Sequence, residues 1–145
     1  MKGTQNGGVS SLYYGRMRID AHQHFWDISR FHYSWMPPSE SPLRRNFLPP
    51  QLEAILQRNR FDGSVVVQAN SIIEETHWLL ELASQHGFIR GVVGWVDLTD
   101  ARLGVTLDKL QQYAKFKGVR HLVHDEPDIN WLLREDVLSG LGELA

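Results

Sequence analysis

Gly63-Ser64-Val65-Val66-Val67-Gln68-Ala69-Asn70 is the stretch on which the fold turns. Its three consecutive valines do not alternate with polar residues, as a strand with one wet face would. An unbroken β-branched run suits a parallel strand buried on both faces. Parallel neighbours need a crossover, usually a helix, and helical patterns flank the run. Before it, Leu52, Ile55 and Leu56 stand at i, i+3 and i+4. That spacing predicts a helix from Pro50 to Asn59, with proline tolerated at its start. After it, Trp78, Leu79, Leu82 and Ala83 form the apolar face of a second helix ending near Gly87. Ser71 and Glu74 fit a capping box at its beginning.

The alternation continues in both directions. Arg18 to His24 reads as a first strand, followed by a long loop from Phe25 to Pro50 punctuated by Pro37-Pro38 and Pro49-Pro50. Loops of that length inside a compact domain are usually functional. Ile89 to Leu98 reads as a third strand and Gly118 to Val123 as a fourth. Leu103, Leu107, Leu110 and Ala114 mark a third helix; Leu133, Val137, Leu138 and Leu141 mark a fourth. The order βαβαβαβα predicts an α/β protein with right-handed crossovers and a parallel sheet. Two closures satisfy it: an open doubly wound sheet, or the first (βα)4 half of a (β/α)8 TIM barrel. No glycine-rich phosphate loop follows the first strand, which weighs against a nucleotide fold. Polar residues gather instead at the strands' C-terminal ends: His22, His24, Gln68, Asp97, Arg120 and His124. A barrel mouth requires that distribution.

Composition narrows the function classes. The chain has 145 residues, 42% of them hydrophobic and 22% charged, which reads as one globular domain or part of a larger one. A formal net charge of -2, with the tryptophans not interleaved with a basic patch, argues against nucleic-acid binding. No apolar run approaches the ~20 residues needed to span a bilayer. The absence of cysteine excludes a disulfide framework and cysteine-based zinc sites. It fits a reducing compartment, so a cytoplasmic location is expected. Residues 1–16 are rich in Gly, Ser, Asn and Gln and lack the apolar core of a secretory signal. They read as a flexible extension, with the folded domain running over 17–145 and Met17 a candidate start.

His22 and His24 carry the first chemical signal. In a strand, residues i and i+2 point to the same face. Two imidazoles converging from a strand end supply half of a metal site, and zinc takes histidine nitrogens readily. The competing reading is a pair of histidines satisfied by local hydrogen bonds.

Several runs together resemble a known family. They are Ile19-Asp20-Ala21-His22-Gln23-His24-Phe25-Trp26-Asp27, Tyr33-Ser34-Trp35, Leu43-Arg44-Arg45-Asn46-Phe47 and Val67-Gln68-Ala69. Glu74-Glu75-Thr76, Trp78-Leu79-Leu80-Glu81-Leu82-Ala83, Gly91 to Leu98, Gly118-Val119-Arg120-His121 and His124-Asp125-Glu126-Pro127-Asp128 complete the set. The chain from residue 17 onward resembles the amidohydrolase superfamily. Within it, the likeness is to the amidohydrolase-related sugar-acid lactonases of the fuconolactonase and rhamnonolactonase type. The resemblance implies a barrel of about 250 residues, of which this chain is the N-terminal half. It implies hydrolysis of a sugar lactone by the full-length form. In the family, further metal-site residues are a histidine on strand five and an aspartate on strand eight, beyond the span expected here. Binuclear relatives carry a carboxylated lysine at the end of strand four. Lys115 and Lys117 fall at the beginning of that strand. A single divalent metal, zinc before others, or a metal-independent site is therefore implied.

The resemblance, with the placement of polar and aromatic residues at strand ends and in the first loop, gives roles. His22, His24 and His124 are expected to be catalytic, with His22 and His24 also holding any metal. Arg120, Gln68, Trp26 and Trp35 are expected to bind substrate. Arg120 and His124 share a face if the fourth strand runs that far. A guanidinium is a fixed fork for hydroxyl or carboxylate, and a histidine exchanges protons near neutral pH. The competing reading is an ion pair with Asp125 or Glu126. Gln68 and Asn70 share a face and either meet a polyol or cap the next helix; Asp97 reads as a cap. Trp26, Tyr33 and Trp35 either stack on sugar or plug the loop. Arg44 and Arg45 either reach an anionic substrate or are solvated, and His121 packs toward the helices. Amide hydrolysis or decarboxylation is possible on the same scaffold. So is a non-enzymatic role for the 145-residue chain as an inactive fragment or interaction module. In that role its open sheet edges would favour self-association.

Overall fold

The computed structural model describes residues 16–144. The expected extension over residues 1–16 lies almost wholly outside them. Four parallel strands stand in the order β1-β2-β3-β4: β1 Ile19–Gln23, β2 Gly63–Val67, β3 Ile89–Gly94 and β4 Phe116–Val119. Between and after them run α1 Pro49–Arg58, α2 Ile73–Gln85, α3 Leu103–Leu110 and α4 Glu135–Gly142. Every crossover moves one place in the same direction. Right-handed connections that never reverse put their helices on one face of the sheet. A doubly wound sheet requires a reversal of strand order, so that alternative is excluded. The architecture is half of a (β/α)8 barrel.

One core holds the layers together. Val66, Ile89 and Val92 from the sheet pack against Trp78, Leu79, Leu80 and Ala83 of α2, Leu103, Leu107 and Leu110 of α3, and Val137 of α4. α2 is pinned to β3 by a close approach. A Cβ on Gly94 would collide with the Thr76 side chain. The Thr76 hydroxyl accepts from the Trp95 N–H at 2.7 Å and donates to the Trp95 carbonyl at 2.8 Å. The strand end is thus fastened to the helix at the level of the barrel mouth. No helix among the described residues is long and apolar enough to cross a membrane.

Four expectations about elements are corrected. The fourth strand ends at Val119, and Val123 belongs to a one-turn 3₁₀ segment, Val123–Asp125. β3, the partner of β4 within the sheet, itself ends at Gly94. The last bond to it is Arg120 N–H to the Gly94 carbonyl at 2.8 Å, after which the chain satisfies itself with turns. Arg120 and His124 therefore do not share a strand face. Ser71 and Glu74 form no capping box: α2 begins after Ile72 with no side-chain cap, and Glu74 and Glu75 favour its first turn through the helix dipole instead. Ile55 is exposed, leaving Leu56 as the buried member of the α1 stripe. Leu133, Leu138 and Leu141 are exposed as well. α4 touches the core through Val137 and Gly140, where glycine lets the helix approach the Leu98 carbonyl, and its flanking leucines turn outward.

Candidate active site

The C-terminal strand ends and the loops beyond them enclose a cleft of about 370 Å³, lined by His24, Trp26, Trp35, Gln68, Ala69, Arg120, Leu122, His124 and Asp125. A volume of that order suits a small ligand. A second cleft of about 370 Å³ lies between α3 and α4, lined by residues such as Asp100, Arg102, Asp136 and Glu143. It has no imidazole and lies away from the strand ends that carry His24 and Gln68.

β1 delivers the two histidines. His24 Nδ1 lies 2.8 Å from the Val67 carbonyl, which can only accept, so this nitrogen carries the proton. The lone pair is left on Nε2, 3.2 Å from His22 Nε2. His24 is held below the ordinary histidine pKa of 6.5, chiefly by burial, with His22 and Arg120 adding to the effect. It is therefore neutral at pH 7 and competent as a metal ligand. Two nitrogens on one tetrahedral zinc at 2.0–2.1 Å lie roughly 3.3 Å apart, so the observed spacing fits a shared cation. A carbonyl holding the far nitrogen of a ligating histidine is the usual supporting arrangement. No group of three or more His, Cys, Asp or Glu able to hold a metal occurs among the described residues. The pair thus fits half of a metal site. His22 stands beside His24 but does not line the cleft.

β2 and β4 supply the polar floor. Gln68 is fully buried; its amide donates to the Arg120 carbonyl at 3.3 Å, and Arg120 returns a bond from Nη1 to the Gln68 carbonyl at 3.4 Å. Gln68 Oε1 has no partner. A buried acceptor left unpaired costs about 1–3 kcal/mol, and a ligand hydroxyl in the cleft would remove that cost. His124 reaches the cleft from the 3₁₀ turn, with its Nε2 3.4 Å from Asp125 in an exposed pair. Its placement comes from this turn, a signal that strand parity did not carry.

The long first loop forms the remaining wall. Trp26 and Phe47 pair as an isolated bridge, N–H to carbonyl in both directions at 3.1 and 3.0 Å. From there aromatic rings touch in sequence: Phe47 to Trp26, Trp26 to Trp35, Trp35 to Tyr33, Tyr33 to Phe31, and Phe31 to Trp78 in α2, at centroid distances of 4.4–6.4 Å. Tyr33 and Phe25 are buried, while Trp35 remains 42% exposed at the cleft. One aromatic chain thus packs into the core at its inner end and lines the cleft at its outer end.

Other candidates fall outside the cleft. Asn70 ties the loop by donating to the His32 carbonyl at 2.9 Å. Asp97 accepts from the Thr99 N–H and hydroxyl in a turn. Arg44 donates to the Pro37 carbonyl, and Arg45 covers the Phe47 ring. His121 stacks on Trp131 at 4.0 Å and pairs with Glu126 at 2.6 Å. Glu75, which sequence reasoning gave no role, lies fully buried behind the cleft. It stands in one of the runs that carry the family resemblance and in the first turn of a helix, and neither signal assigns it a role.

Comparison with known proteins agrees with the half-barrel fold. A family model described as "Amidohydrolase" matches residues 19–144. Two curated relatives, each an L-fucono-1,5-lactonase, are similar over 79% of this chain: one from Burkholderia ambifaria at 38% identity and one from Burkholderia multivorans at 36%. The chain spans 40% and 38% of their lengths. A solved amidohydrolase from Burkholderia multivorans with bound zinc superposes with a TM-score of 0.78 at 34% identity, covering 86% of this chain and 44% of that one. The chain belongs to the amidohydrolase family.

Proposed function

We propose that the full-length form of this protein hydrolyses the ester bond of a sugar lactone, as the names of its two curated relatives state for them. The observation that carries the reading is the convergence of His24, Gln68, Arg120 and His124 with Trp26 and Trp35 on one strand-end cleft. Trp26 and Trp35 offer ring faces and edges to a sugar. Gln68 Oε1 accepts from a ring hydroxyl. Arg120 donates to the lactone oxygens and to the carboxylate that appears as the ring opens. Water adds to the carbonyl carbon, the ring C–O bond breaks, and the departing oxygen takes a proton. His124 is the histidine at the cleft rim placed to move that proton. His22 and His24 position or polarise the carbonyl.

The same two histidines would hold a divalent metal, zinc before others, through their Nε2 atoms. When bound, such an ion supplies Lewis-acid polarisation and activates water. The remaining ligands of a four-coordinate site are not among the described residues. A cytoplasmic setting fits the absence of cysteine.

The direct test is acid release from L-fucono-1,5-lactone, read against its spontaneous hydrolysis. Turnover that falls about 100-fold in Arg120→Ala supports the reading. A full-length protein that adds nothing to the spontaneous rate on this lactone and on related sugar lactones sinks it. A second reading concerns the 145-residue chain by itself. β1 and β4 each have a single strand neighbour among the described residues. Unpaired edges favour self-association, which sedimentation at two concentrations measures.

A further inference from the structure

The peptide unit joining Ala69 to Asn70 is gripped at both ends. Its N–H, on Asn70, donates to Glu75 Oε2 at 2.7 Å. Its carbonyl, on Ala69, accepts from the Trp35 indole N–H at 2.6 Å. Glu75 Oε2 also takes the Ala69 N–H at 2.9 Å, so the two amides that follow Gln68 end on one carboxylate oxygen. The Tyr33 hydroxyl stands beside the same carboxyl and accepts the Asp27 N–H at 3.2 Å. Glu75 itself is fully buried and lines no part of the cleft.

We propose that Glu75 is a positioning residue: by fixing the plane of the Ala69–Asn70 peptide, it holds the Trp35 ring in place as the aromatic wall of the cleft. Hydrogen bonds are directional, so one carboxyl oxygen accepting two successive amide N–H groups fixes the orientation of those peptides in either protonation state of Glu75. Hydrogen bonds in series polarise one another, so the carbonyl at the other end of that peptide becomes a better acceptor for the indole. Trp35 is half exposed and sits on a loop lacking regular structure. Its ring is set by edge contacts to Trp26 and Tyr33 and by this one hydrogen bond. Loss of the carboxylate frees the peptide to rotate and takes the acceptor away from the indole.

This inference rests on the sugar-binding reading of the cleft for its consequence, but not for its first readout. That readout is the Trp35 indole N–H resonance in a nitrogen-proton correlation spectrum of the chain, assigned by its loss in Trp35→Phe. Glu75→Gln retains an oxygen acceptor and keeps the resonance at its low-field position. Glu75→Ala, and Glu75→Asp with its shorter reach, move it toward the position of a water-exposed indole. In the form that turns over a lactone, Glu75→Asp raises KM about tenfold with a smaller change in kcat, and costs nothing further when Trp35 is already Phe. An indole resonance unmoved in both Glu75→Ala and Glu75→Asp overturns the link. So does an equal loss in the Trp35→Phe background. If no lactone is turned over, the resonance still decides the role of Glu75, and the failure belongs to the substrate reading alone.

Discussion

Gln68 and Glu75 are two buried polar side chains seven positions apart, and the sequence gives a role to only one of them. Gln68 ends a strand pattern, where a polar residue facing a barrel mouth is expected. Its unpaired Oε1 predicts a measurable cost. Gln68→Leu removes an unsatisfied acceptor, so stability stays within about 1 kcal/mol of the parent while KM for a sugar lactone rises about tenfold or more. Parallel denaturant melts and initial rates check both halves. Glu75 predicts a pH effect. Burial raises its carboxyl from 4.5 to about 7 against the opposing pull of the Ala69 and Asn70 amides. The folded state therefore binds this proton more tightly than the unfolded chain does. The contribution is complete below pH 4.5 and is lost as pH rises to about 7, by roughly 3 kcal/mol in all. The difference in unfolding free energy between wild type and Glu75→Gln should drift by that amount between pH 4.5 and 8. A constant difference would show that Glu75 titrates normally. The lining of the cleft was legible where polar residues end a strand pattern, as with His24, Gln68 and Arg120. The role of Glu75 was not, because its partners are backbone amides, which no sequence pattern displays.

At the level of elements, hydrophobic periodicity carried the alternation of strands and helices, and its failures share a cause. Ile55, Leu138 and Leu141 fit a helical stripe yet face outward. Periodicity marks a face, whereas the width of the buried stripe depends on which neighbour covers it. β4 stops at Val119 because the strand it pairs with stops at Gly94, a fact outside its own residues. His124 reaches the cleft through the turn that follows. The fastening of α2 to β3 is the element-level feature most open to test. Thr76→Val keeps the shape and removes both bonds to Trp95, leaving a buried N–H and carbonyl unpaired. The expected loss is about 1–3 kcal/mol in a denaturant melt. Gly94→Ala places a methyl against the Thr76 side chain, and overpacking of that kind costs a similar 1–3 kcal/mol. Stability unchanged in both variants would mean that the strand end is held elsewhere.

Across the molecule, the strand order β1-β2-β3-β4 decides function more than any single residue. It brings residues from the segments following β1, β2 and β4, including a loop of more than twenty residues, to one cleft. The sequence left an open sheet and a barrel half as alternatives, since βαβ alternation serves both. The order of neighbours in space distinguishes them. Metal behaviour belongs to this scale too. Two imidazole nitrogens 3.2 Å apart make half of a site. Zinc should bind the described part of the chain only weakly, and His22→Ala should abolish that binding in a calorimetric titration. Tight binding that survives His22→Ala would place the ion elsewhere. The central claim is that the strand-end cleft receives the sugar lactone. It is tested most directly by mapping amide and side-chain shifts as an unreactive lactam analogue of a sugar lactone is added. His24, Trp35, Gln68, Arg120 and His124 are expected to move together, with one dissociation constant. Shifts confined to the cleft between α3 and α4, or none at saturating ligand, would contradict it.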